Sequence, residues 1–146
     1  MVGAERGVQM QTQQRLLVAD IMTIDPIVIG VEASLEEAAH MLRAYSITGL
    51  PVVDQQGELV GVISQTDLVA AQDSPVSRLV RGQQSGLRVG ELMTSPAVTV
   101  PMTGSLGEAA HLMMDRHVHR LVAIDDSGHP VGVLSSMDFV ALYAEA

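Results

Sequence analysis

The chain has 146 residues, 47% of them hydrophobic, which is enough for one compact domain or two interlocked halves but not for two independent cores. A net charge of -9 argues against binding to DNA, RNA or anionic lipids, because such binding depends on a basic surface. The absence of cysteine excludes disulfides, thiolate nucleophiles and cysteine-ligated metal centres.

The first segment, residues 1–15, is polar and rich in glutamine, unlike a signal peptide. No apolar run in the chain approaches the roughly 20 residues that cross a bilayer as a helix. We therefore expect a cytoplasmic protein that makes no contact with membranes or nucleic acids.

An internal repeat organises the rest of the sequence. The segment 34–70 matches 105–141 at a constant offset of 71 residues, and 16 of the 37 compared positions are identical. The match continues upstream, where Ile21-Met22-Thr23 corresponds to Leu92-Met93-Thr94. We predict copy 1 over residues 16–71, a linker over 72–88, and copy 2 over 89–146.

In chain order, each copy begins with a short β-branched run after a proline, 27–29 in copy 1 and 97–100 in copy 2, which predicts a first strand. A helix should follow from Ser34, because Ser34 and Glu37 have the spacing of a capping box, and Ser105 and Glu108 repeat it. Apolar residues at i, i+3, i+4 and i+7 give each of these helices one face for packing on a sheet.

The next two runs predict a hairpin in each copy. Strands are expected over 50–53 and 60–63, joined by a turn that ends at Gly57, and over 121–124 and 131–134, joined by a turn that ends at Gly128. A second helix then begins after Ser64 or Ser135, with Asp67 or Asp138 in its first turn. Each copy is therefore predicted as strand, helix, strand, strand, helix.

The motifs SLEEAAHML and ITGLPVVDQQGELVGVISQTDLV, with their partners SLGEAAHLM and HVHRLVAIDDSGHPVGVLSSMDFV, resemble the CBS (cystathionine-beta-synthase) domain family. The resemblance extends over about residues 18–143. It implies an α+β fold in which two βαββα CBS repeats pack pseudo-twofold through their small sheets, an arrangement called a Bateman module, and it implies a homodimer.

Members of the family commonly bind AMP, ADP, ATP or S-adenosylmethionine and thereby regulate another protein. The resemblance implies the same function here, a regulatory adenosyl-ligand-binding module that acts as an energy or metabolite sensor on an unknown effector protein. The ligand is then regulatory and no cofactor serves as a catalyst. The sequence contains no GxSxG elbow, phosphate loop, HExxH or dinucleotide fingerprint, so we expect no catalytic residues and no enzyme activity.

In the family segment G-x-x-[ST]-x-[ST]-D, the acid binds the ribose hydroxyls and the small hydroxyls face ribose or phosphate. Copy 1 matches it fully, whereas copy 2 has a methionine at the second hydroxyl position. The family pair that contacts phosphate is present in copy 2 as His119-Arg120 and replaced in copy 1 by Thr48-Gly49. The ligand-binding residues that the resemblance implies, including apolar positions for adenine, are Thr23, Ile27, Val28, Ile47, Thr48, Gly49, Ser64, Thr66, Asp67, Thr94, Ala97, Val98, Val118, His119, Arg120, Ser135, Met137 and Asp138.

Simpler roles exist for several of these residues. The two aspartates could serve only as helix caps, and Arg120 could be a surface residue that pairs with Asp115 or Glu108. His117 and His119 have a spacing able to ligate a metal, but without a third fixed ligand they are expected to be ordinary polar residues, so we predict no metal site. Two other functions stay open, a sensor of S-adenosylmethionine and a ligand-free scaffold for dimerisation or partner docking.

Overall fold

The computed structural model describes residues 16–24, 26–72 and 86–145. The predicted N-terminal segment 1–15 and residues 73–85 of the predicted linker lie outside the described residues. The chain divides into two compact units: unit 1 consists of Met1–Pro26 with Val98–Ala146, and unit 2 is Ile27–Ala97.

Helices and short strands alternate along the described chain, as the sequence predicts for an α+β protein. In chain order they are α1 (Val18–Ile21), β1 (Thr23–Ile24), β2 (Ile29–Gly30), α2 (Leu35–Ala44), β3 (Gly49–Val53), β4 (Leu59–Ser64), α3 (Gln65–Gln72), α4 (Val89–Leu92), β5 (Thr99–Pro101), α5 (Leu106–Arg116), β6 (Arg120–Ile124), β7 (Pro130–Ser135) and α6 (Ser136–Ala144).

Unit 2 is built on a three-stranded sheet in the order β2-β3-β4. Strand β2 runs parallel to β3, and β3 and β4 form an antiparallel hairpin. The hairpin turn ends at Gly57, whose φ of +80° belongs to the left-handed region that glycine tolerates best. The buried core side chains of this unit are aliphatic: Ile29, Ala38, Leu42, Leu50, Val52, Ile63 and Val89.

Unit 1 contains the corresponding hairpin within a four-stranded sheet of order β1-β7-β6-β5. Strand β5 is parallel to β6, and β7 is antiparallel to both β6 and β1. The turn again ends at a glycine with positive φ, Gly128 at +83°. Its buried core side chains are Val18, Val100, Leu106, Ala109, Met113, Leu121, Ala123 and Leu134.

Each unit contains the segment with which the sequence copy of the other unit begins. Helix α1 and strand β1 lie at the start of copy 1 but belong to unit 1, where Thr23 pairs with Val133 of β7. Helix α4 precedes the strands of copy 2 but belongs to unit 2, where Thr94 forms a bridge with Val62 of β4. Each compact unit therefore combines the hairpin of one copy with the first, or leading, segment of the other. The boundaries of the compact units thus differ from the predicted boundaries of the sequence copies.

A glycine in each hairpin makes this exchange sterically feasible. A Cβ atom on Gly61 would lie 2.7 Å from both the sulfur of Met93 and the carbonyl oxygen of Thr94. A Cβ atom on Gly132 would collide with the sulfur of Met22 and would lie 2.9 Å from the carbonyl oxygen of Thr23. The recurrence of this glycine in both copies thus has a packing reason, because the leading segment lies directly against it.

Most of the predicted elements are confirmed, with two kinds of exception. The hairpin strands agree within a residue, and Ser34 Oγ accepts a hydrogen bond from the Glu37 N–H at 3.1 Å, as the serine half of a capping box requires. The first strands begin later than predicted, at Ile29 and at Thr99, and helices α1 and α4 and strand β1 were not predicted. None of the helices in the described ranges is both long enough and apolar enough to cross a bilayer.

Candidate functional site

In unit 2, a carboxylate is held at the start of helix α3. Oδ2 of Asp67 accepts hydrogen bonds from the Ser64 N–H at 2.8 Å and from the Ser64 hydroxyl at 3.0 Å, and the Asp67 N–H donates to Ser64 Oγ at 3.2 Å. Oδ1 accepts from the hydroxyl of Thr94 at 3.3 Å. The side chain is only partly buried, so its remaining lone pairs can accept hydrogen bonds from a ligand.

Unit 1 repeats this arrangement at the start of helix α6. Oδ2 of Asp138 accepts from the Ser135 N–H at 2.7 Å and from the Ser135 hydroxyl at 3.2 Å. Thr23 occupies the position of Thr94, yet no residue in the described part of the chain donates a hydrogen bond to Oδ1 of Asp138. Both aspartates are therefore helix caps, and both side chains are only partly buried.

An arginine lies on the strand opposite the serine that binds the carboxylate of unit 1. Arg120 begins strand β6, and its Cα atom is paired with that of Ser135, the residue whose N–H and hydroxyl bind Asp138. Partial burial lowers the pKa of Arg120 through loss of hydration, but an arginine side chain stays protonated at neutral pH. His119 precedes it with an exposed side chain, and its carbonyl accepts from the Ser136 N–H at 2.9 Å.

The backbone of unit 2 is arranged in the same way but has no basic side chain at these positions. Gly49 is paired with Ser64, and the carbonyl of Thr48 accepts from the Gln65 N–H at 2.9 Å. Gly49 is buried, whereas Thr48 is exposed. The two sites thus share a backbone frame and differ in charge.

The structure sorts the predicted ligand-binding residues into two sets, one in each unit. We call them the unit 1 site and the unit 2 site. The threonines are exchanged relative to the sequence copies, since each lies with the aspartate of the other copy. The unit 1 site consists of Thr23, Val98, Val118, His119, Arg120, Ser135, Met137 and Asp138. The unit 2 site consists of Ile27, Val28, Ile47, Thr48, Gly49, Ser64, Thr66, Asp67, Thr94 and Ala97.

The apolar members of these sets differ in burial. Ile27 and Ile47 pack against the core of unit 2, and Val98 and Val118 pack against the core of unit 1. Val28 is 36% exposed, so its side chain offers an apolar surface to a flat ring. Contact between adenine and any of them stays a prediction.

Sequence reasoning missed two features of these regions. The hydroxyl of Ser95 donates to the carbonyl of Val60 at 2.8 Å and so helps to hold the segment that carries Thr94 against β4. Unit 1 also contains a pocket of about 590 Å³ between α5 and α6. It is lined by Ala110, Met113, Met114, His117, Val118, His119, Ser136, Phe139 and Tyr143. The spacing of Phe139 and Tyr143, one turn apart on α6, is the signal that could have indicated it.

The sequence also offered His117 and His119 as a pair of possible metal ligands. His117 follows helix α5 as its C-cap, and His119 precedes β6. Within residues 16–24, 26–72 and 86–145, no three histidine or carboxylate side chains converge as metal ligands.

Comparison with known proteins gives concordant results for sequence and structure. The profile of the CBS domain matches residues 18–74 and 89–145. The chain is 33% identical over 121 residues to a homoserine O-acetyltransferase of Methanocorpusculum labreanum, and 31% identical over 122 residues to an inosine-5'-monophosphate dehydrogenase of Bifidobacterium longum. These matches cover 83% and 82% of this chain but only 23% and 21% of the two enzymes, so the chain spans about a fifth of their length.

Solved structures of similar size also match. CBSX2 in complex with AMP has 30% sequence identity and a TM-score of 0.76, with 88% of this chain and 96% of that chain covered. The CBS domain pair of protein MJ0100, in complex with 5'-methylthioadenosine and S-adenosyl-L-methionine, has 28% identity and a TM-score of 0.73, with 89% and 97% covered. A CBS domain-containing protein of Dictyostelium discoideum is 32% identical over 134 residues, 88% of this chain and 91% of that protein. The chain therefore belongs to the CBS domain family and contains two CBS domains in tandem.

Proposed function

We propose that this CBS pair is a regulatory module that binds an adenine nucleotide, AMP, ADP or ATP, and catalyses no reaction. The observation that carries the proposal is the pairing of Arg120 with Ser135, the residue whose N–H and hydroxyl bind the carboxylate of Asp138. A cation and an anion that are linked through one serine in this way suit a ligand that has both a phosphate and a diol. The AMP complex of a protein with 30% identity supports the same class of ligand.

The chemistry of the two side chains assigns their roles. An ionised carboxylate accepts two hydrogen bonds at once, so Asp138 suits the two hydroxyls of a ribose. A guanidinium presents parallel N–H donors in a plane and can bind a phosphate through two hydrogen bonds. Burial of Arg120 reduces the screening of its charge by water and strengthens its attraction to a phosphate.

Regulation follows if the ligand binds one conformation of the module more tightly than another, because only differential affinity shifts a conformational equilibrium. We propose that the state favoured by the nucleotide is recognised by an effector protein. The enzyme relatives, in which the matching region is about a fifth of the chain, are consistent with such a regulatory arrangement.

Isothermal titration calorimetry with AMP, ADP, ATP and S-adenosylmethionine tests the proposal. We expect heat from the three nucleotides and at least tenfold weaker AMP binding in Arg120→Gln, since a hydrogen bond to a charged group contributes about 1.5–3 kcal/mol. Arg116→Gln is the matched control, because Arg116 is an exposed arginine of the same unit at the end of α5. If no nucleotide gave heat at millimolar concentration, the proposal would be wrong.

S-adenosylmethionine sensing is the nearest alternative, and the ligands of the MJ0100 structure favour it. It would be supported if S-adenosylmethionine bound more tightly than AMP and if Arg120→Gln left its affinity unchanged. In that case the sulfonium, rather than a phosphate, would determine selectivity.

A scaffold that dimerises or docks a partner without ligand is a different alternative. Exposed apolar side chains on helix α6 favour it, namely Met137 at 67%, Val140 at 54% and Tyr143 at 56% exposure. Such residues are common at protein interfaces and unfavourable in water. We propose a homodimer in either case, and light scattering with and without AMP separates the alternatives, because a scaffold predicts a dimer that binds no nucleotide.

A further inference from the structure

We propose that the two sites take adenosyl ligands of different charge, a phosphorylated ligand in the unit 1 site and a ligand without phosphate in the unit 2 site. This inference rests on the proposed function, since it assumes that both sites bind the adenosyl group. It adds that the two sites of one chain bind different classes of ligand.

The backbone frames of the two sites are equivalent. The pair Arg120 and Ser135 in unit 1 corresponds to Gly49 and Ser64 in unit 2, with the same antiparallel register. The N–H of each serine donates to the carboxylate three residues later, at 2.7 Å in unit 1 and 2.8 Å in unit 2. Any difference in ligand preference at these positions must therefore come from side chains.

The side chains differ in charge at the strand position opposite this serine. Unit 1 has the half-buried guanidinium of Arg120, whereas unit 2 has Gly49, which is buried and has no side chain. Asp67 is then the one charged side chain of the unit 2 site as defined above. Because its negative charge repels a phosphate and no cation in that set offsets it, the unit 2 site favours a neutral or positively charged ligand.

The overall charge of the units does not produce this difference. In the full sequence, unit 1 contains nine acidic residues and four arginines, a net charge of -5, and unit 2 contains eight and four, a net charge of -4. The net charge therefore does not favour an anion at unit 1, and the local placement of one arginine distinguishes the sites.

Hydroxyl groups add to the contrast. The carboxylate of Asp67 is bonded to the hydroxyls of Ser64 and Thr94, and Thr66 adds a third, exposed hydroxyl in the first turn of α3. Met137 replaces that third hydroxyl in unit 1. Hydroxyls beside a carboxylate, with no cation in the set, suit the sugar of a nucleoside whose 5' carbon carries a thioether in place of phosphate.

Calorimetry with AMP and 5'-methylthioadenosine as probes tests the division. In the unmodified chain, saturation with AMP should leave the Kd of 5'-methylthioadenosine unchanged within about twofold. Asp138→Asn should weaken AMP at least tenfold and spare 5'-methylthioadenosine, while Asp67→Asn should do the reverse, since each loses a charge-assisted hydrogen bond. The asparagine oxygen still accepts the serine N–H, which preserves the helix cap.

Asp125→Asn and Asp54→Asn are the matched controls for unit 1 and unit 2. Each removes one negative charge from the β-hairpin turn of the same unit, where the aspartate accepts two backbone N–H bonds. Neither control should change either Kd by more than about twofold.

Two adverse results have different meanings. If AMP displaces 5'-methylthioadenosine from the unmodified chain, or Asp138→Asn weakens both probes equally, the division is wrong and nucleotide binding still stands. If neither probe gives heat at millimolar concentration with folded protein, both the division and the proposed function are wrong. The competition measurement needs no variant and decides the question even if a substituted chain fails to fold.

Discussion

A single methyl group at Gly61 is expected to separate the segment around Thr94 from strand β4. The added Cβ would lie 2.7 Å from the carbonyl oxygen of Thr94, inside the 3.0 Å that Cβ atoms in proteins essentially always exceed. The sulfur of Met93, also at 2.7 Å, can move with its flexible side chain, but the carbonyl oxygen is backbone. Relief of the contact therefore requires displacement of the main chain.

The structure allows the cost of Gly61→Ala to be worked out. The displaced segment would lose the two hydrogen bonds between Val62 and Thr94, at 3.0 and 2.8 Å, each contributing about 0.5–1.5 kcal/mol. Crowding of a packed region adds about 1–3 kcal/mol, partly offset by the lower unfolded-state entropy of alanine. We expect a loss of about 1–5 kcal/mol in the free energy of unfolding, and a Tm lower by roughly 3–16 °C for a chain of this length.

Urea denaturation followed by circular dichroism measures this loss, with Gly30→Ala as the control. Gly30 is in strand β2 of the same unit, and a Cβ atom there has no neighbour within 4 Å. Its substitution should be neutral or slightly stabilising. Equal stability of Gly61→Ala and Gly30→Ala would refute the claim that a steric requirement holds the leading segment against β4.

Three further predictions concern single contacts. Gly132→Ala should destabilise unit 1 by an amount similar to Gly61→Ala in unit 2, and a denaturation midpoint equal to that of the unmodified chain would contradict the equivalence of the two contacts. Thr94→Val should lower the free energy of unfolding by only about 0.5–1 kcal/mol, because the 3.3 Å hydrogen bond from Thr94 to Asp67 is partly exposed. A larger loss, measured by calorimetry, would contradict this small contribution. The N–H of His129 and other backbone groups lower the pKa of Asp125. The stabilisation that Asp125 provides should therefore be present above the usual aspartate pKa and disappear as the pH falls through the lowered value. If the stability difference between Asp125→Asn and the unmodified chain grew on acidification, this prediction would be wrong.

The hairpins of both copies were predictable because their signals are local. Alternating β-branched residues, a turn that ends in glycine, and a serine three residues before an acid are each read within about ten residues of sequence. The capping role of Asp67 and Asp138 was predicted as the simpler alternative to ligand binding, from their place in the first turn of a helix, although the pair of serine bonds appears only in the structure. The first strands and the short helices α1 and α4 were harder to predict, since two to four residues carry almost no periodicity.

The sequence alone determined that the chain has two related copies, that each copy places an acid after its hairpin, and that a basic residue precedes the hairpin in copy 2 only. These follow from residue identity and from patterns that repeat at a constant offset. Tertiary structure alone decided that Thr94 lies with Asp67, and that Thr23 lies with the hairpin of copy 2. The physical reason is that strand pairing joins residues distant in the chain, and its register depends on contacts such as those of Gly61 and Gly132, which no local pattern specifies.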